Sequence, residues 1–436
     1  MKLTKKYYRV RRAQWGSVTQ HSNGVLTINR EELIQAAGKL TGSIEQINLH
    51  LVHPGESTRI IHILDTLQPM CKIQGKGDPY SGFFGSPCMV GEGVTGVLEG
   101  FTVMQSAPLP WDSSSASSGL LYPREAIMDM TGPYQGITPF AQTVNLVITY
   151  QLAPGKSAEE YDRDIRMISL RISSFLANKA TSGEADHQEV FSIEEQDLNL
   201  PNVVLVWQVQ NQGVYANTFL YGKAVDEMVP TLLHPNEMLD GCIVSGNYVW
   251  PAFKVPTYLH VNHPILLDLY HRHGKDLNFK GVIFSRSHNP THWHKERSAG
   301  ICVKLARMLK ADGLVMAWEG GGNAATDGML TIQMSERAGI KTSAITFEFG
   351  GADGTEGILL VDDVPEADAI ISGSSIEKPV RLPAVERVIG GDKLRLDKEA
   401  GGRFPDAQEE IEFSTTTLLY CSGNQAGHSH FFAEAY

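Results

Sequence analysis

The chain has 436 residues, 42% of them hydrophobic and 20% charged, with a formal net charge of −12. That length supports two or three domains with substantial cores, and the acidic balance argues against a nucleic-acid partner, which would call for a basic footprint. The basic opening (Lys2, Lys5, Lys6, Arg9, Arg11, Arg12) leads into nothing of signal-peptide type, and no apolar run reaches the length of a membrane helix, so the expectation is a cytoplasmic protein with no membrane partner.

Residues 1 to about 150 read as β-rich. Strand patterns occupy Gly24–Asn29, Ile47–Val52, Ile60–Leu64, Val97–Met104 and Val144–Tyr150, and Arg30–Gly38 reads as a short helix stopped by glycine. Residues 106–120, with Pro108, Pro110 and the Ser113–Ser118 run, are expected to form a loop or lid. Glu159–Lys179 is an amphipathic helix, its stripe being Ile165, Ile168, Ile172, Phe175 and Leu176, with Asp162, Arg163, Arg166 and Arg171 away from it. Val203–Val209 follows as a buried-type strand. The five cysteines (Cys71, Cys88, Cys242, Cys302, Cys421) are scattered without a CxxC pair, which argues against a disulfide framework or a zinc–thiolate site.

From about residue 240 the pattern changes. Strand-type runs at Gly281–Ser285, Gly313–Ala317 and Lys341–Phe347 alternate with helical patterns at Lys295–Lys310 and Thr326–Ala338, and Ala367–Ser372 reads as a fourth strand. The expected fold is α/β: a β-rich N-terminal region with a helix over residues 1–240, then a Rossmann-like parallel α/β domain over 241–436. Parallel strands put every loop that follows a strand on one edge of the sheet, where ligands of open α/β sheets bind.

Three such loops carry chemistry. Ser287–His294 holds His288, Asn289, His292 and His294; the three imidazoles are candidate ligands of Zn²⁺ or another divalent metal, or hydrogen-bonding groups without one. Glu319-Gly-Gly-Gly-Asn323 follows a strand and precedes a helix, so Gly321 and Asn323 are candidates for contacting substrate, the alternative being a tight turn with a solvated Glu319. Gly350–Glu356 offers Asp353 and Glu356 as a general base or cation ligands, or as cap and turn residues. The resulting site assigns catalysis to Glu319, His294 and Asp353, substrate binding to Asn289, Gly321, Asn323 and Glu356, and a metal to His288, His292 and His294.

Segments along nearly the whole chain also resemble the substrate-specific component B of glycine, sarcosine and betaine reductases, in its α/β proprotein form, and more distantly the D-proline reductase proprotein. They include Pro54–Ile61, Ile127–Pro133, Asn236–Asn247, Tyr270–Gly274, His294–Ser298, Val303–Leu309 and Glu319–Asn323. The resemblance implies a proprotein cut at an Asn–Cys bond, the cysteine becoming a pyruvoyl group that captures a substrate amine, and a thiol- or selenol-bearing partner that takes over the carbon skeleton. This chain departs at that point: Ser245-Gly-Asn247 is followed by Tyr248. Tyrosine has no thiol with which to attack the preceding carbonyl, so an unprocessed, pyruvoyl-free chain is expected.

The expected function is a component B-like subunit that cleaves a C–N bond of a small nitrogen-containing substrate by hydrolysis or elimination, assembled as a homo-oligomer or with a component B-like partner. Reductive cleavage with a thiol- or selenol-bearing partner is one alternative and a non-catalytic scaffold another.

Overall fold

The computed structural model describes residues 1–40, 42–110, 125–194, 197, 199–211, 218–246, 251–353, 362–396 and 401–429. The expected lid is therefore described only up to residue 110, and Asn247, Tyr248 and Glu356 lie outside the described residues.

The first half builds two four-stranded sheets. The strands of these two sheets are Leu3–Arg9 (β1), Ile44–Val52 (β2), Ile63–Leu67 (β3), Met70–Gln74 (β4), Gly93–Glu99 (β5), Phe101–Ser106 (β6), Val144–Leu152 (β7) and His187–Phe191 (β8). One sheet runs β8-β1-β5-β4 and the other β2-β7-β6-β3; β1 pairs with β5 in parallel, as β6 does with β7, and the remaining neighbours are antiparallel.

Two runs that read as single strands are divided. Val97–Met104 breaks at Gly100, whose φ of 76° carries the chain from one sheet to the other. A Cβ there would stand 2.9 Å from the Val10 carbonyl oxygen, so only glycine fits without a shift. Ile60–Leu64 breaks at His62, also at positive φ (54°).

Helix Ala158–Ala180 (α1) packs on these sheets through Ile165, Ile168, Ile172 and Leu176, and starts with a capping box between Ser157 and Glu160. Asp162 and Arg166, expected on the solvent side, are buried. They pair with each other at 2.7 Å one turn apart, and the guanidinium stacks 3.9 Å over Phe219, which answers a charge that would otherwise be stranded.

The second layer is a six-stranded sheet of Asn202–Gln210 (β9), Thr231–Leu233 (β10), Asn278–Ser287 (β11), Gly313–Trp318 (β12), Lys341–Glu348 (β13) and Ile370–Ser375 (β14). Its order is β10-β11-β9-β12-β13-β14, with β10 antiparallel at one edge and the other five strands parallel. The central strand, β9, precedes residue 240, so the sheet draws on both sides of that position.

The alternation of β9 serves two cores. Leu205, Trp207 and Val209 face helices Thr257–Val261 (α2) and Pro264–Arg272 (α3); Val204 and Val206 face helices His292–Met308 (α4) and Asn323–Arg337 (α5). From β9 the chain goes to β11 on one side, and from β12 to β13 on the other. Connections that part between adjacent parallel strands leave a crevice at their carboxyl ends, here Gln210 and Trp318.

The segment after residue 380 returns to the first half. Arg387–Ile389 pairs in parallel with Thr58–Ile60, which also pairs with Met128–Asp129. Arg59, fully buried, clamps this junction. It holds Asp129 in two bonds (2.7 and 2.9 Å) and donates to the carbonyls of Pro383, Ala407 and Glu409 at 2.6, 2.7 and 3.1 Å. Arg59→Met leaves a buried carboxylate and these carbonyls without a donor, and is expected to cost roughly 3–5 kcal/mol in urea unfolding. A loss below about 1 kcal/mol, the ordinary worth of a surface pair, would show that the junction does not depend on it.

Candidate active site

Glu319 follows β12 directly and is fully buried, not a solvated turn residue. Its Oε2 accepts from the Gln210 amide and from Lys254 Nζ, both at 2.9 Å, and its Oε1 accepts from the Val255 amide at 2.9 Å. His260 Nε2 stands 3.9 Å from Oε1, and Lys254 also donates to Thr218 Oγ1 at 2.8 Å. One carboxylate thus joins the end of β9, the end of β12 and the segment that enters α2. Burial raises the Glu319 carboxyl above its ordinary range, and the Lys254 ammonium works against that rise.

The same segment is pinned from the other side. Ser245 N donates to Thr257 Oγ1 (2.8 Å), and Thr257 gives both its amide and its hydroxyl to Asp65 at 2.8 and 2.6 Å. Burial pushes the Asp65 carboxyl up to about 6. The carbonyls of Pro251 and Ala252 accept from the Cys421 and Gly423 amides, each at 3.0 Å. Residues 247–250 are therefore flanked by anchored chain on both sides, and the Asn–Tyr position is close in sequence to the Glu319–Lys254 pair.

The other expected site residues divide. Asn289 is buried and donates to Asp327 Oδ1 at 2.8 Å; Lys295 donates to Asp327 Oδ2 at 2.5 Å and to the Asn323 carbonyl at 2.9 Å. Ser287 Oγ donates to the Glu319 carbonyl at 3.3 Å. The end of β11 and the loop after it are thus bonded to Glu319 and to α5, at the same edge of the sheet. Gly321 lies under Phe349, whose ring is 2.8 Å from where a Cβ would stand, while the Asn323 side chain is exposed at the first turn of α5. Asp353 is exposed.

The histidine triad does not form a ligand set. His292 and His294 belong to the first turn of α4, not to a loop, because Thr291 caps that helix. Helical geometry points side chains two apart in different directions. His292 sits 3.5 Å from Glu296, and His294 shares a 2.6 Å hydrogen bond with Thr291. His288 is half-buried at φ 59°, and burial lowers its imidazole below the ordinary range. Among the described residues, no three His, Cys, Asp or Glu side chains are grouped to hold a metal ion.

Sequence reasoning missed Lys254, Thr218, His260 and Asp327. Lys254 carried one signal, a lone cation inside the apolar run Trp250–Val255, since a charge in such a place needs a buried partner.

Two outcomes follow from this geometry. Lys254→Met strands the buried carboxylate and is expected to cost roughly 3–5 kcal/mol. Glu319→Gln turns an amide donor toward donors and costs about 1–3 kcal/mol. Combining the two is expected to recover part of the loss, and an additive double-mutant cycle in urea unfolding would refute the coupling. Asp327→Ala releases Lys295 and Asn289, so amide exchange over residues 287–294 is expected to rise by roughly tenfold or more while β9 stays protected; unchanged exchange would refute the tie.

Residues 1–434 match the family model of glycine/sarcosine/betaine reductase component B subunits. The chain is 36% identical over 397 residues to the glycine reductase complex component B subunits alpha and beta of Acetoanaerobium sticklandii, covering 89% of each chain. It is 34% identical over 390 residues to the sarcosine reductase complex component B subunit alpha of Peptoclostridium acidaminophilum, covering 87% of each. The D-proline reductase proprotein of A. sticklandii is 21% identical over 344 residues, which are 74% of this chain and 51% of that one. No solved structure matches the chain.

Proposed function

This chain belongs to the family of glycine/sarcosine/betaine reductase component B subunits, and from that premise we propose that it is the substrate-binding subunit of a reductase-type complex, presenting a small nitrogen-containing molecule for C–N cleavage without a pyruvoyl group of its own. The observation that carries this reading is the buried Glu319–Lys254 pair at the carboxyl ends of the central strands.

A pyruvoyl group does not fit residue 248. Tyrosine has neither a thiol nor a hydroxyl on its β-carbon, so no side-chain atom there can attack the Asn247 carbonyl. Cys242 does not replace it: the thiol is fully buried, and burial raises it well above its ordinary range, which suppresses the thiolate.

The ion pair offers another way to hold an amine. Glu319 is an acceptor for a substrate ammonium, and Lys254 is a donor to a substrate carboxylate. A zwitterion set between them replaces one ion pair by two, which keeps every buried charge answered. A thiolate or selenolate of a partner subunit then attacks the carbon, and the amine leaves with the bonding electrons as ammonia or a methylated amine. The relatives' names, which are those of reductase complex components, support the partner.

A second reading, hydrolytic or elimination cleavage by the lone chain, is favoured by the burial that moves Glu319 toward the range of a general base at neutral pH. The expected metal-assisted form of it, through His288, His292 and His294, lacks a ligand set.

The test is release of ammonia from glycine, methylamine from sarcosine or trimethylamine from betaine by purified chain of intact mass, with and without a thiol-bearing partner fraction. Release only with the partner is expected, and Glu319→Gln is expected to lower it by roughly 10²–10⁴-fold. Release by the lone chain would replace the first reading with the second; a mass spectrum with a break at Asn247–Tyr248 would overturn the pyruvoyl-free reading. Light scattering is expected to show an oligomer or a complex with a component B-like subunit.

A further inference from the structure

Helix α4 turns one face to solvent, and that face differs in charge from the acidic chain that carries it. Trp293, Arg297, Ile301, Lys304 and Met308 recur at intervals of three and four residues, so their side chains share one side of the helix. Trp293 is 61% exposed and Met308 67%. Arg297 and Lys304 are exposed, and Ile301 between them is half-buried. Arg307 and Lys310 add two exposed cations at the far end. The one exposed carboxylate of the helix, Glu296, stands 3.5 Å from His292.

No carboxylate answers these cations. Among the described residues, Arg297, Lys304, Arg307 and Lys310 make no ion pair, whereas the cations around them do. Asp327 holds Lys295, Glu366 holds Arg337 at 2.7 Å, and Glu336 holds Lys341 at 3.3 Å. Asp327 and Glu336 are the carboxylates of α5, the helix beside α4, so neither is left for the outer face. The Arg297 guanidinium lies 5.2 Å from the Trp293 ring. Tryptophan and arginine are the side chains that most often carry the energy of a protein interface. An apolar centre of Trp293, Ile301 and Met308 with charge around it is also the anatomy of such an interface. The charge calls for an acidic partner. A second copy set against this face by a two-fold axis would oppose the cations to themselves.

The face also begins at the crevice. α4 starts five residues after the end of β11, and Lys295 in its first turn donates to the Asn323 carbonyl, at the end of the glycine loop that Glu319 opens, at 2.9 Å. We propose that the Trp293–Met308 face of α4 is the docking surface for an acidic region of a partner protein, seated with one end at the carboxyl edge of the sheet. The proposal rests on the reading of the chain as a partner-dependent subunit and adds where the thiol-bearing partner sits and what charge it presents.

The test is the release assay on the full chain at increasing concentrations of the thiol-bearing partner fraction, with Trp293→Ala, Arg297→Glu and Lys304→Glu beside the wild type. All three side chains are exposed, so the variants are expected to fold. Trp293→Ala is expected to raise the half-saturating partner concentration roughly tenfold or more. Each charge reversal is expected to raise it several-fold, by less as salt is added, and the rate at saturating partner is expected to stay that of the wild type. Partner-dependent release with an unchanged half-saturating concentration in all three variants would bring down the docking face and leave the partner reading standing. An effect of the charge reversals without one of Trp293→Ala, with a single-stranded oligonucleotide competing for the face, would make it a polyanion site and overturn the proposal. Loss of self-association in Trp293→Ala by light scattering would make the occupant a second copy of the chain, and would overturn it too. Release by the wild type that does not depend on the partner would bring down both readings.

Discussion

A carboxylate removed from water has to be answered by charge and hydrogen bonds, and the chain around Glu319 is arranged to do so. Its partners are an amide at the end of β9, an amide and an ammonium from the segment before α2, and an imidazole edge from α2. No two neighbouring segments could supply these alone. The pair therefore fixes how the 251–255 segment lies against the sheet, and with it the start of α2. A well-packed apolar pair in the same place would be about as stable or more so. Stability alone therefore does not account for two opposite charges at the carboxyl edge of the sheet.

Much of the sheet is legible because its central strands β9, β11 and β12 are largely buried on both faces and so read as apolar runs. Val203–Val209 announces itself in this way, as do the runs at 281–285 and 313–317. What the runs do not carry is order. The place of β9 between β11 and β12 depends on pairings to residues such as Asn278 and Gly313, far along the chain, and no local pattern records them. The sequence pattern changes near residue 240, and the sheet reaches back across that position. Breaks at single residues are also hard to see: Gly100 and His62 interrupt runs whose composition is strand-like on both sides.

The site was legible to the same extent. Glu319 stands out because it follows a strand and opens a glycine loop. Its burial does not, since nothing nearby in sequence offers a cation; Lys254 comes from 65 residues away. The histidines at 292 and 294 misled for a local reason. Their spacing suggests a ligand loop, but Thr291 caps a helix at once, and the helix sends them to separate partners. The Asp327–Lys295 pair escaped notice because each residue lies in a helical pattern where a charge ordinarily faces water.

The chain on either side of residues 247–250 is held by long-range contacts. Upstream, Ile243–Val244 pairs with Phe219–Leu220, and Ser245 is held by Thr257, itself gripped by Asp65. Downstream, Pro251 and Ala252 are bonded to the 421–423 turn, and Lys254 and Val255 to Glu319. Each end is secured by contacts that do not pass through the peptide bond at 247–248. The two flanks are held independently of each other, and the downstream one delivers Lys254 to Glu319 at the carboxyl edge of the sheet.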